Sequence, residues 1–214
     1  MKILLACEES QAVCTEFRNK GYEAYSCDIL DSSGPNKNWH IKGDVLNVIY
    51  DYKWKWDMMI AFPPCTHLAV SGARHFEQKK KDGRQQQGID FFMKMVNAPI
   101  PKIAIENPIG IMSTRYQKPN QIIHPYHFGD SYSKATCLWL KNLPNLIYNK
   151  KIDDKTQKEL VFDEYPSEVD KGEFVTFSSG KRMAKWYNEA SGNGHLRSKT
   201  FPGIAKAMAS QWGQ

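Results

Sequence analysis

The chain has 214 residues, of which 41% are hydrophobic, 24% charged and 12% aromatic. That composition supports one buried core of ordinary size, argues against disorder, and contains no apolar run near the roughly 18 residues of a membrane span. The net charge of +6 is uneven, because residues 73 to 118 carry nine basic and four acidic groups, and a polyanion could be met there.

In chain order, Lys2 to Ala6 is an apolar run suited to a buried strand, and the stretch is too brief to be a secretory signal. A cytoplasmic protein is therefore expected. Ser10 is placed to cap a helix from about Gln11 to Lys20, stopped by Gly21. Tyr22 to Cys27 predicts a second strand ending at Asp28, and Gly43-Asp44-Val45 precedes another helical turn. Asp57 to Phe62 predicts a strand running into Pro63-Pro64-Cys65. From Arg84 to Asn97, Ile89, Phe92, Met93 and Val96 recur on one helical face. Ile103 to Ile105 predicts a strand ending at Glu106-Asn107-Pro108, and Gln121 to Phe128 with Ala135 to Leu140 predicts a strand pair. Residues 145 to 200 are polar and irregular, and Pro202 to Trp212 closes the chain as a helix stopped by Gly213. Short apolar strands alternating with helices predict a single α/β domain, with a mostly parallel sheet covered by helices on both faces.

Such folds carry their chemistry at the carboxyl ends of the strands, where Asp28, Cys65 and Glu106 fall. Two prolines stiffen the approach to Cys65, so its thiol is presented at a fixed place. A carboxylate that follows Ile103-Ala104-Ile105 is partly desolvated, which raises its proton affinity. Glu106 is thus a candidate proton donor, with pairing to Arg115 as the plainer alternative. The lysines of Lys79-Lys80-Lys81-Asp82-Gly83-Arg84 form either a mobile phosphate-contacting lid or a solvated loop. The five cysteines at 7, 14, 27, 65 and 137 have no paired spacing, and His67, His75, His124 and His127 single out no metal. Reduced thiols and no metal are expected.

Asp57 to Cys65 with Ser71-Gly72, followed by Ala104-Ile-Glu-Asn-Pro108, resembles the two catalytic motifs of the DNA cytosine-5 methyltransferases. Thr136 to Pro144 and Arg197 to Trp212 are similar to small phage-encoded members, which would place the protein in a bacterial host cell. The resemblance implies a Rossmann-like methyltransferase fold, S-adenosylmethionine as cofactor and DNA as partner, with RNA or a free nucleotide as alternatives. It implies that Cys65 attacks carbon 6 of cytosine while Glu106 protonates nitrogen 3, with Pro64 in the loop and Asn107 holding it. It assigns the cofactor to Ala6, Glu8, Ser10, Asp28, Asp44, Pro63 and Gly203. Nucleic acid would be met by Lys79, Lys80, Lys81, Arg84, Lys134 and Arg197. The pattern departs from the family in three places. Cys7-Glu8-Glu9-Ser10 stands where a glycine-rich turn is usual, Lys134-Ala-Thr136 replaces an arginine-rich motif, and residues 145 to 200 replace a recognition domain.

Overall fold

The computed structural model describes residues 1–148, 170–193 and 200–214. The apolar run at the start becomes strand β1 (Lys2–Ala6), whose last four residues are fully buried. It pairs in parallel with β2 (Glu23–Asp28) on one side and β4 (Met58–Ala61) on the other. Beyond them lie β3 (His40–Lys42), parallel to β2, and β5 (Lys102–Pro108), parallel to β4. The sequence reading did not place β3, whose three residues include one apolar side chain, Ile41. Strand β7 (Thr136–Lys141) runs antiparallel between β5 and β6 (Gln121–Ile123), giving the order β3-β2-β1-β4-β5-β7-β6.

Alternate residues of the central strands feed two cores. On one face Ile3, Leu5, Met58 and Ile60 pack with helices α1 (Ala12–Asn19) and α7 (Pro202–Trp212) through Phe17, Met208 and Trp212. On the other, Leu4, Met59, Ile103 and Ile105 pack with α2 (Val45–Tyr50) and α4 (Arg84–Val96) through Ile49, Phe92 and Met95. The buried side of α4 is rotated slightly from the predicted stripe, with Met95 fully enclosed and Met93 partly exposed. The expected α/β class is the observed one, a mostly parallel seven-stranded sheet covered by helices on both faces.

The two remaining segments lie beyond this sheet. A helix α3 (Phe76–Lys81) precedes α4, and α5 (Met112–Arg115) follows β5. Within 170–193, the hairpin β8 (Phe174–Thr176) and β9 (Arg182–Ala184) leads into α6 (Lys185–Glu189). Trp186 of α6 anchors it, donating to the Ser133 carbonyl at 3.3 Å and packing against Tyr132 and Phe201.

The turn after β1 is built differently from the expectation. Ser10 is not the cap of α1; that position belongs to Gln11, and the Ser10 hydroxyl is only 3.5 Å from the Ala12 N–H. The first-turn donors are satisfied instead by Glu8, whose carboxylate accepts from Val13 at 2.6 Å and Cys14 at 3.2 Å. Cys7 and Gln11 both adopt φ of 59°, the left-handed conformation that glycine would take without strain. Each costs roughly 1–2 kcal/mol. Gln11 is held there by bonds with Asn36 in both directions, at 2.8 and 3.0 Å.

Burial lifts the Glu8 carboxyl from an ordinary 4.5 to about 7, against the two backbone donors that favour its charged form. The folded chain therefore binds more protons than the unfolded one between those values, and stability falls as pH rises through that window. The loss is at most roughly 3 kcal/mol. Thermal unfolding measured from pH 4.5 to 8 should show a falling Tm in the wild type and a shallower slope in Glu8→Gln.

Candidate active site

Strands β1, β2, β4 and β5 run in the same direction, so the loops after them open at one edge of the sheet. After β4 the backbone enters Pro63, which is buried, and Pro64, which is exposed, before reaching the partly exposed Cys65. The chain then turns tightly, with Leu68 and Ala69 both donating to the Cys65 carbonyl at 2.9 Å. Leu68, Val70 and Ile111 tie this turn to the segment after β5 through Val70 N–H to Ile109 and Ile111 N–H to Leu68, each 3.0 Å.

Glu106 and Asn107 lie inside β5 rather than beyond its end. The antiparallel partner β7 outlasts β4 and continues the ladder, pairing Glu106 with Leu138, Asn107 with Cys137 and Pro108 with Thr136. The Asn107 side chain is buried and donates to the Pro63 carbonyl at 2.8 Å. That bond joins the Pro-Pro-Cys loop to the Glu-Asn strand.

Burial raises the proton affinity of Glu106, and the Lys134 ammonium and the Thr136 hydroxyl oppose the rise. The carboxyl is thus partnered by Lys134 and Thr136, not by Arg115. Thr136 went unnoticed in the sequence as a partner because the pairing is set by the β5–β7 register, 30 residues apart in the chain. Lys134 also lies over the Phe201 ring at 5.8 Å.

On the neighbouring strands a second group converges. Asp28 ends β2 partly exposed, and its Oδ1 accepts from Leu30 N–H at 2.9 Å. Asp44 is exposed and caps α2 through Leu46 N–H at 2.9 Å. Burial first, and then Asp28, Cys27 and Asp44, push the Cys7 thiol up, which places both carboxylates around the end of β1. Ala6 is fully buried, and its carbonyl accepts from Phe62 at 2.9 Å.

Several expected contacts fall elsewhere. Glu8 is buried against α1 and faces its N–H groups, so it neither holds nor repels a ligand at the surface. Gly203 gives its N–H to Asp130 at 2.8 Å, and its backbone lies so close to the Phe128 carbonyl that no Cβ fits. Packing of α7 accounts for that glycine. Lys79 is buried and donates to the Thr66 carbonyl at 2.6 Å, so it is no phosphate contact; it sits in α3, not in a mobile loop. Lys80 is exposed and paired with Glu77 at 2.8 Å, Lys81 is exposed, and Arg84 is paired with Asp82. Arg197 lies outside the described residues.

Among the described residues there is no group of three or more metal-ligating side chains, and no helix long and apolar enough to cross a membrane. A surface groove of about 600 Å³ runs along α2, lined by Leu46, Asn47, Tyr50, Asp51 and by Lys94 of α4. It contains none of the candidate residues.

No protein-family model matches the chain, and no curated protein matches it. Among solved structures it is similar to a provisionally named DNA modification methyltransferase encoded within an Escherichia coli prophage, at 14% identity and a TM-score of 0.45. The alignment covers 72% of this chain and 52% of that one, so this chain spans about half its length. At that similarity, chemistry and substrate must be argued from this chain's own residues.

Two outcomes test the geometry. Asn107→Ala leaves the Pro63 carbonyl buried without its donor and should cost about 1–3 kcal/mol in urea unfolding. Lys134→Met removes a charge that opposes the rise at Glu106, so the proton should be held to higher pH. The alkaline limb of any Glu106-dependent pH–rate profile should then move upward.

Proposed function

We propose that the chain transfers a methyl group to carbon 5 of cytosine, in DNA, through a covalent adduct of Cys65. The observation that carries this reading is the Asn107–Pro63 bond, which brings the thiol loop and the glutamate strand together at adjacent strand ends. In this chemistry the Cys65 thiolate forms a bond to carbon 6 of the ring while Glu106 delivers its proton to nitrogen 3. Carbon 5 becomes nucleophilic, takes the methyl group as the methyl–sulfur bond of the donor breaks, and gives its own proton to water, while nitrogen 3 returns its proton to Glu106. Expulsion of Cys65 then restores the ring double bond. A raised proton affinity at Glu106 suits the donor role near neutral pH. A base in duplex DNA would have to be flipped out to reach the loop.

S-adenosylmethionine supplies the methyl group in such reactions. The chain's residues fit its nucleoside end: Asp28 and Asp44 offer acceptors to ribose and adenine around the end of β1, and the backbone at Ala6 and Pro63 would flank it. The first-turn donors at Val13 and Cys14 are engaged by Glu8 and cannot hold the cofactor carboxylate. That occupancy favours a second reading, a nucleotide- or nucleic-acid-binding protein that makes no use of the cofactor.

Calorimetry with S-adenosylmethionine separates the two. The enzyme reading expects binding by the wild type and about tenfold or greater weakening in Asp28→Ala, since charge-assisted bonds contribute roughly 1.5–3 kcal/mol each. Cys65→Ala should abolish transfer with cofactor affinity kept, and DNA carrying 5-fluorocytosine should trap the wild type covalently. Transfer by Cys65→Ala would overturn the mechanism.

A further inference from the structure

Cys65 stands between two engaged carbonyls. On its amino side Pro63 accepts from Asn107 at 2.8 Å, and on its carboxyl side Thr66 accepts from the Lys79 ammonium at 2.6 Å. Lys79 is 7% exposed, an unusual state for a lysine at the end of a six-residue surface helix. A buried ammonium needs hydrogen-bonded partners, and a peptide carbonyl one residue from the thiol is the partner found here. Space for the ammonium is left by Gly72, where a Cβ would come within 3.2 Å of Lys79 Nζ. Gly88 of α4 packs against His67 and Leu68, so both α3 and α4 contact the turn.

We propose that Lys79 is a positioning residue of the Cys65 thiol, clamping the Thr66 carbonyl so that the loop holds one conformation beneath a fixed positive charge. The proposal deepens the reading of Cys65 as the nucleophile and rests on it for its functional meaning. It assigns the lysine run two separate roles. Lys79 faces inward to the loop, while Lys80 and Lys81 face solvent.

The test compares the wild type with Lys79→Met, Lys79→Arg and Gly72→Ala. The first readout is alkylation of Cys65 by iodoacetamide across pH, resolved by peptide mass spectrometry, which requires no cofactor or DNA. Lys79→Met should move the midpoint of the rate profile up by about one pH unit, because a nearby cation favours the thiolate. Lys79→Arg should stay near the wild type. Gly72→Ala changes no charge but puts a Cβ within 3.2 Å of the Lys79 ammonium and displaces it from the Thr66 carbonyl, so its smaller upward shift keeps the test valid if Lys79→Met fails to fold. The second readout is methyl transfer, where Lys79→Met should lower kcat about tenfold and change KM for DNA less than twofold. A raised KM with kcat intact, or unchanged alkylation profiles in Lys79→Met and Gly72→Ala, overturns the proposal. Shifted profiles with no transfer by the wild type would uphold the clamp and overturn the methyltransferase reading instead.

Discussion

The hydrogen bond from Asn107 to the Pro63 carbonyl is the contact on which the candidate site depends. Strand β4 has already ended at Ala61, so the Pro63 carbonyl lies past the ladder and takes its donor from a side chain. Asn107 can supply the donor only because β5 runs on for three residues past its last pairing with β4. That extension exists because β7 lies antiparallel on the other side and continues the ladder to Thr136. Sheet topology, loop stiffness and side-chain chemistry therefore meet in one bond.

The turn after β1 shows how a left-handed bend between a strand and a helix can be built without glycine. Two non-glycine residues, Cys7 and Gln11, bend the backbone into the left-handed region. Strain there is offset by a buried network in which Gln11 bonds Asn36 and Ser26, and Glu8 closes the first turn of α1. The consequence is chemical as well as conformational. A helix start that would attract an anion already holds one, supplied from within the chain.

Among the described carboxyls whose proton affinity burial raises, Glu8 and Glu106 share the cause and differ in the result. Glu8 is desolvated against α1 and its charge is engaged by backbone donors, so its titration acts on folding. Glu106 is desolvated within β5, where Lys134 and Thr136 oppose the rise, and in the proposed reaction its proton is the one delivered to the base. Burial sets the direction in both.

The α/β class, the main strands along the chain other than β3, and the place of Asp28 at the end of β2 and of Cys65 in the loop after β4 were legible in the sequence, whereas Glu106 proved to lie within β5. Apolar runs of strand length, an amphipathic helix at 84–97 and a stiff Pro-Pro-Cys are local signals that need no partner to be read. The tertiary structure decided what those signals could not carry. It placed Thr136 and Lys134 at Glu106 through strand register, turned Glu8 into a helix cap across an irregular turn, and buried Lys79 against Thr66 while leaving Lys80 and Lys81 in solvent. Each of these depends on which residues far apart in the chain come within hydrogen-bonding distance. Composition and periodicity describe one segment at a time, whereas the partner of a buried charge is chosen by the whole fold.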